Sequence, residues 1–297
     1  MSQSFDYISH FQKKLLKYNI ENYISGGFAQ KLYLKDLIKT EDVDIVLLYD
    51  EKVLTNKILI ENTKYILKSA LSYILKKSTS GILELFSILK YNSKKDLTFL
   101  TEFAAKNKFT LVSFHPIYKK NIYFYNFERK IGDIIIHFNV KFTNDVKSNI
   151  ENYISLKFNN EKEKYLPMDI LILNKHKINT NVIKNSIKVD KNIFYVYSIK
   201  ALLYNSMNIY HNYKHNIENK KLISKIEERK NKRDEKRLYY ILRLYCNTFY
   251  KILTDTDIKK IFQLFKINNK KFKLDLFKIK NLDIIDKIII HYFNSFL

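Results

Sequence analysis

The sequence predicts an α+β fold, in which a mixed sheet flanked by helices is followed by an all-helical C-terminal region. Helical and strand-like spacings of apolar residues alternate from the N-terminus onward. Between residues 121 and 173 the spacing is strand-like, in two pairs of runs that are each joined by a short polar segment. From residue 193 only helical spacing remains. We therefore expect a first domain over residues 1–190 and a helical domain over residues 191–297.

In the N-terminal half, Ile8, Phe11 and Leu15 recur at helical spacing. A short strand then runs into Gly26, and helical spacing resumes through Ala29. The predicted elements of this half, in order, are helix 4–19, strand 23–25, a helix from residue 28, strand 43–48, helix 56–77 and further helices near 82–90 and 97–106.

Further along the chain, strands 121–127 and 133–142 form one predicted hairpin, with Gly132 in its turn. Strands 153–158 and 165–173 form a second. The predicted helices that follow are 193–213, a strongly basic segment 218–245, and amphipathic helix from residue 253 to the end.

The charge balance points to a polyanionic partner. The chain has 53 basic and 30 acidic residues, a formal net charge of +23, which suits nucleic acid. AT-rich coding is the alternative, because it also enriches a chain in Lys, Asn, Ile and Tyr. A single cysteine, Cys246, excludes an internal disulfide framework. No run approaches the roughly 18 apolar residues of a membrane span, so we expect a cytoplasmic protein without membrane contact.

Two carboxylates stand at the head of a strand. Side chains alternate between the faces of a strand, so Asp42 and Asp44 should lie on one face, roughly 7 Å apart. Their mutual repulsion and desolvation are relieved by a divalent cation. Mg²⁺, or Mn²⁺ in its place, prefers such oxygens together with substrate phosphate, and two ions can serve an in-line phosphoryl displacement.

A glycine pair lies between a strand and a helix in a chain that has four glycines in all. Gly26 and Gly27 would let backbone N–H groups approach a phosphate, and the helix N-terminus behind them favours an anion. Ser25 would add a hydroxyl. We expect these three residues to contact the nucleotide.

A third carboxylate is usually needed to hold two metal ions. Asp169 heads another apolar strand, directly after Pro167 and Met168. Asp133 is the rival, although its place after Gly132 suits a turn. We favour Asp169 and leave Asp133 open.

These motifs resemble the polymerase-β-like nucleotidyltransferases. Within them, "GGFAQKLYLKDLIKTEDVDIVLL" together with "PMDILIL" is similar to the poly(A) polymerase catalytic subunits of large DNA viruses. "YVYSIKALLYNSM" and "KNKRDEKRLYYILRL" extend the resemblance over roughly residues 20–245. It implies metal binding and catalysis by Asp42, Asp44 and Asp169. The sequence departs from the family at Phe28, where many members have serine, and it is short for such a viral enzyme.

The resemblance also implies that a lysine or tyrosine of the helical region meets the triphosphate. Lys200 is the candidate, with a solvated lysine as the alternative. The basic cluster over 220–237 would bind the RNA backbone or the phosphates of the nucleotide. The alternative is that the cluster is a solvated helix face, whose acidic residues offset part of the positive charge.

The expected function is template-independent addition of nucleotides to an RNA 3′ end. The resemblance implies adenylates from ATP, a poly(A) polymerase of viral mRNA processing, with Asp169 holding the metal that activates the 3′ hydroxyl or acting as its general base. The expected partners are ATP, the RNA 3′ end, and a second copy or a viral subunit. A virion or viral factory is the alternative location. The alternative functions are an abortive-infection-type toxin that modifies tRNA or protein, and a non-catalytic RNA-binding subunit.

Overall fold

The computed structural model describes residues 2–50, 56–74, 105, 108–117, 122–131, 134–143, 152–159, 165–177, 184–219, 225–251, 253–267, 286 and 289. Its helices are α1 (Ser2–Lys17), α2 (Gly26–Leu34), α3 (Asn56–Ile74), α4 (Ile199–Asn219), α5 (Lys225–Phe249) and α6 (Asp255–Ile267). Its strands are β1 (Glu21–Ser25), β2 (Val43–Tyr49), β3 (Thr110–Ile117), β4 (Ile122–Ile131), β5 (Ile134–Thr143), β6 (Asn152–Asn159), β7 (Met168–Asn174), β8 (Lys184–Val189) and β9 (Asn192–Tyr197). The predicted helix near 82–90, the predicted helix 97–106 apart from residue 105, and Gly132 lie outside the described residues.

The nine described strands form one mixed sheet in the order β3-β4-β5-β6-β7-β2-β1-β9-β8. Strands β3 to β7 are an antiparallel meander in which each strand pairs with the next. Strand β2 pairs in parallel with β7, so a strand from the N-terminal half lies beside the last strand of the meander. The sheet thus joins two distant stretches of the chain at the β2–β7 pair.

The expected fold class is wrong. The prediction was a mixed sheet flanked by helices, of the polymerase-β-like nucleotidyltransferase type, which is a small fold, followed by an all-helical region. A nine-stranded sheet is not that small fold. The sequence reading missed two features: strand β3, and the continuation of the sheet through β8 and β9 up to Tyr197.

The predicted helix over residues 193–213 is also wrong in its first part. Residues Asn192–Tyr197 are strand β9, and the helix begins only at Ile199. The run "NIFYVY" consists mainly of β-branched and aromatic residues, which fit a pleated sheet. The turn before it contains Asp190 in the left-handed region, with φ 51°, and lacks the glycine that usually announces a tight hairpin.

The two predicted hairpins are confirmed. Strands β4 and β5 pair antiparallel from Ile122 opposite Thr143 to Ile131 opposite Ile134. Strands β6 and β7 pair antiparallel from Asn152 opposite Ile172 onward. Both hairpins join the same sheet, which strand-like spacing alone does not determine.

The chain divides into two compact units, each assembled from separate stretches. The first unit contains Met1–Ile24, Glu41–His176 and Ser186–Tyr195. The second contains Ser25–Thr40, Lys177–Asn185 and Val196–Leu297. The division at residues 190 and 191 stays a prediction.

In the first unit, one face of the sheet forms the core together with α1 and α3. Along β7 the burial alternates strictly, with Met168, Ile170 and Ile172 buried and the residues between them partly exposed. Tyr7 of α1 is fully buried, and its ring centroid lies 5.6 Å from that of Tyr73 of α3 and 5.2 Å from that of Tyr165. The helices therefore cover the apolar face of the sheet.

In the second unit, α4 contributes many residues to the core. Its fully buried side chains include Ala201, Leu202, Leu203, Tyr204 and Met207. Helix α2 is tied to α4 by a hydrogen bond from Gln30 Nε2 to Ser206 Oγ at 2.6 Å. Tyr239 of α5 meets Phe262 of α6 edge to face, with centroids 5.3 Å apart.

None of the helices in the described stretches is long and apolar enough to cross a membrane.

Candidate functional site

Two of the predicted carboxylates are neighbours on adjacent strands of the first unit. Asp44 of β2 is the register partner of Asp169 of β7. The pairing begins at the strand ends, where the Val43 backbone N–H donates to the Pro167 carbonyl at 2.9 Å. Adjacent strands lie about 4.8 Å apart, and register partners project from the same face. The two aspartate side chains therefore leave the sheet side by side.

The opposite face at this point is apolar and fully buried. Val43 and Ile45 flank Asp44, Met168 and Ile170 flank Asp169, and all four have no exposed surface. Asp44 and Asp169 are both partly exposed. The packing of the apolar neighbours fixes which way both strands face, because a slip of one residue would bury the carboxylates.

Asp42 lies directly before the strand that carries Asp44. It lies in a bend before β2 and is exposed, whereas Asp44 lies within the strand. Within the described part of the chain, no group of three or more His, Cys, Asp or Glu side chains is arranged to hold a metal ion. The structure thus pairs Asp44 with Asp169 and does not gather Asp42 with them.

Strand β6 adds two polar side chains beside Asp169. Ser155 is the register partner of Asp169 on that side, and Tyr153 lies two residues before it on the same face. Burial, together with the negative charge of Asp169, raises the pKa of Tyr153, while a hydrogen bond with Ser155 acts in the opposite direction. The phenol therefore keeps its proton at neutral pH and can donate it in a hydrogen bond.

This donor set fits a magnesium ion. Two partly buried carboxylates on adjacent strands repel each other, and the repulsion is relieved by a shared cation. Carboxylate oxygens are the protein ligands that Mg²⁺ prefers, with water and substrate phosphate completing an octahedron. Asp44 and Asp169 would hold the ion.

The glycine pair belongs to the second unit and opens α2. Gly26 is the first helical residue and has a φ of 59°, a left-handed conformation that favours glycine. Ser25 precedes it in an extended conformation and is buried. The backbone turn that was expected from the sequence is therefore present at the start of α2, with its phosphate-binding role still a prediction.

Arg237 of α5 covers this turn. A Cβ atom on Gly27 would lie 2.9 Å from Arg237 Nη2, 3.1 Å from Cζ and 3.1 Å from Thr40 Oγ1. Arg237 Nη2 donates to the Lys39 carbonyl at 2.7 Å. Because Gly27 has no side chain, the Arg237 guanidinium fits against it. A positive charge therefore lies at the N-terminus of α2.

Lys200 lies elsewhere in the second unit, in a network around Asp286. Its Nζ is 2.6 Å from Asp286 Oδ2, and the hydroxyls of Tyr245 and Tyr250 donate to Asp286 Oδ1 at 2.6 and 2.8 Å. Burial alone would raise the pKa of Asp286, but the hydrogen bonds from these three residues outweigh it and lower that pKa. The predicted contact of Lys200 with a triphosphate would compete with this ion pair.

In the described residues, basic side chains of the 220–237 cluster pair with acidic side chains of the same helix. Lys232 Nζ is 2.8 Å from a carboxylate oxygen of Glu228, and Arg233 Nε is 3.2 Å from Asp234 Oδ1. Residues 220–224 lie outside the described residues. The described part of the cluster matches the alternative of a solvated helix face better than that of a strong anion site.

Sequence reasoning missed two residues of these sites. Ser155 and Tyr153 could have been found from the polar side of the alternation in β6, once β6 was placed beside β7. Arg237 was expected only as a member of the basic cluster over 220–237, because its approach to Gly27 depends on the packing of α5. Asp133, the rival third carboxylate, lies outside the described residues.

No model of a known protein family matches this chain, and a search of curated proteins found no relative.

Proposed function

We propose that this protein transfers nucleotides, adenylates from ATP in the first place, to the 3′ hydroxyl of RNA. The observation that carries the proposal is the register pairing of Asp44 with Asp169 on adjacent parallel strands. The motif resemblance to viral poly(A) polymerase catalytic subunits supports adenylate as the nucleotide. The net charge of +23 supports RNA as the acceptor.

In the proposed reaction, the RNA 3′ oxygen forms a bond to the α-phosphorus of ATP. The bond from that phosphorus to the bridging oxygen breaks, and pyrophosphate leaves. Bound magnesium supplies charge neutralisation and lowers the pKa of the attacking hydroxyl. Asp44 and Asp169 hold the ion. Asp169 or water takes the proton of the hydroxyl. Orientation and charge stabilisation then provide most of the rate.

The test incubates the protein with a labelled single-stranded RNA, Mg²⁺ and each nucleoside triphosphate in turn. Long extensions with ATP alone support the proposal. One or a few added nucleotides, or labelling of tRNA or protein, would support a toxin of the abortive-infection type instead. If the protein binds RNA but incorporates no nucleotide with either Mg²⁺ or Mn²⁺, the result would support a non-catalytic RNA-binding subunit instead.

Asp44→Asn and Asp169→Asn should each abolish incorporation, and Asp190→Asn is the matched control. Asp190 is exposed, belongs to the same unit and lies in the turn between β8 and β9. A second readout is the rise in melting temperature that Mn²⁺ causes. The rise should be lost in Asp44→Asn and Asp169→Asn and kept in Asp190→Asn. An equal rise in all three variants would exclude the paired aspartates as the metal site.

A further inference from the structure

A row of polar side chains crosses six strands of the first unit and ends at the paired aspartates. Each member is the register partner of the next, from β3 through β4, β5, β6 and β7 to β2. We call this set the polar row. Its members, from the edge of the sheet inward, are Ser113, Asn126, Asn139, Ser155, Asp169 and Asp44.

Two further rows run beside the polar row on the same face. On one side, Lys141 lies between two aromatic residues, with Phe124 as its partner on β4 and Tyr153 as its partner on β6. On the other side, Lys157 of β6 is the partner of His137 of β5. Rows on one face are about 7 Å apart, since they are separated by two residues along each strand.

This face is accessible, whereas the opposite face is the core. The members of the polar row are partly exposed, and so are Phe124, Lys141 and Tyr153. Between them, Tyr125, Phe127, Phe138, Val140, Ile154 and Leu156 point the other way and are buried. Asparagine is depleted in strands, yet Asn126 and Asn139 are register partners on the second and third strands of the sheet, and the Asn126 amide donates to Ser113 Oγ within the row.

We propose that this polar face binds single-stranded RNA and directs its 3′ end to Asp44 and Asp169. This inference rests on the proposed function in one respect, namely that the RNA end at Asp44 and Asp169 is the 3′ end. The chemistry is that of a sheet that reads single-stranded RNA: aromatic rings stack on bases, amides and hydroxyls bond to base edges and 2′-hydroxyls, and lysines neutralise phosphates. From Asp169 to Ser113 the row spans four strand spacings, about 19 Å, which accommodates several nucleotides.

The charges of this face agree with that partner. Lys141 and Lys157 lie on either side of the polar row, and Lys130 is exposed on the same face of β4. The single acid among the neighbouring described rows is Glu128, and one of its oxygens lies 3.3 Å from His137 Nδ1. The other carboxylates at this end of the face are Asp44, Asp169 and the exposed Asp42 directly before β2, where a cation rather than a phosphate is expected. Lysines thus lie on both sides of the proposed RNA path, and the acidic residues lie at its end.

The test measures the binding of a fluorescent single-stranded RNA of about 15 nucleotides, without ATP and Mg²⁺, over a range of salt concentrations. The double variant Lys141→Gln/Lys157→Gln should bind on the order of tenfold more weakly at low salt. Its slope of log affinity against log salt should be shallower by about 1.4, because each phosphate contact on a single strand contributes about 0.7.

The matched control is Lys13→Gln/Lys17→Gln. It removes the same charge from α1 in the same unit, on the side of the sheet where Tyr7 packs against Phe158. It should change affinity less than twofold. Equal losses in the two double variants would show that only net charge matters and would overturn the proposal.

Photo-crosslinking separates this inference from the proposed function. With 4-thiouridine at the 3′ terminus, crosslinks should map to β6 and β7, and with 4-thiouridine several nucleotides upstream they should map to β3 and β4. Crosslinks confined to α5 would overturn the inference even if the protein extends RNA. Crosslinks in the expected order, in a protein that incorporates no nucleotide, would support the RNA path and reject the transferase.

Discussion

Gly27→Ala should destabilise the second unit, because Arg237 occupies the space that the new methyl group needs. A Cβ at 2.9 Å from Nη2 and 3.1 Å from Cζ is closer than a normal contact, so the guanidinium must move. It then loses its 2.7 Å hydrogen bond to the Lys39 carbonyl. Hydrogen bonds from charged groups contribute roughly 1.5–3 kcal/mol, and water replaces this one poorly, since the side chain is only 16% exposed.

Alanine in a helix also brings a gain of up to about 1 kcal/mol over glycine. The net expectation is therefore a loss of about 1–2 kcal/mol in the free energy of unfolding. In an Arg237→Ala background the guanidinium is gone, and the helical gain is offset by the 3.1 Å approach to Thr40 Oγ1 that remains, so Gly27→Ala should be neutral within about 0.5 kcal/mol. The double-mutant cycle, measured by urea denaturation at pH 7, should therefore show a coupling of about 1–2 kcal/mol.

The control cycle pairs Gly27→Ala with Arg243→Ala, which removes an exposed arginine of the same helix whose Nη2 lies 3.1 Å from Asp255. These two changes should be additive. A coupling between Gly27 and Arg237 no larger than that of the control cycle would refute the contact.

Three further predictions concern the second unit. Asp286→Asn should cost about 2 kcal/mol at pH 7, measured by urea denaturation, because it removes the charge that Lys200 pairs with. The pKa of Asp286 is lowered in the folded protein, so its contribution to stability is complete above pH 3.8 and is lost as the pH falls below 3.8 through the lower folded-state pKa. The urea midpoint should therefore drop between pH 6 and pH 2 by more in the wild type than in Asp286→Asn, and equal drops would contradict the pairing. Cys246 is fully buried, and burial raises the pKa of its thiol to about 12. A thiol reagent at pH 8 should therefore label it slowly in the native protein and rapidly in urea. Fast labelling of the native protein would contradict the burial. Tyr33→Phe should cost about 1 kcal/mol in thermal unfolding, because the Tyr33 hydroxyl donates to the Tyr197 carbonyl at 3.0 Å, whereas an unchanged melting temperature would show that this bond contributes nothing.

The local elements were predictable where period and turn signals agreed. The hairpins β4–β5 and β6–β7 follow from alternation on either side of short polar segments, and α1 follows from the spacing of Ile8, Phe11 and Leu15, all of which are fully buried. Strand β9 was missed because its aromatic run continues without interruption into the apolar face of α4. Local spacing cannot show where a strand ends when the helix after it is equally apolar.

The number and order of the strands in the sheet could not be predicted from local sequence patterns. Alternation predicts that β4 is half-buried but not which strands lie beside it, so a nine-stranded sheet and two separate hairpins fit the same pattern. The fold class was wrong for this reason. It depends on the long-range pairing of β2 with β7, and the sequence of neither strand specifies its neighbour.

The candidate site was predictable in part. Two carboxylates that each head an apolar strand were expected to come together, and Asp44 and Asp169 are register partners. Asp42 lies in the exposed bend directly before β2, which begins at Val43 as predicted, so its place on the same face as Asp44 stays a prediction.

The parallel pairing of β2 with β7 also bears on how the protein matures. Strands β3 to β7 can pair through short connections as soon as they are synthesised, but β2 must close a loop that contains the whole meander before it meets β7. The paired carboxylates are therefore a product of a late, non-local step. A chain arrested before that step would already contain the hairpins but would lack the pairing of Asp44 with Asp169.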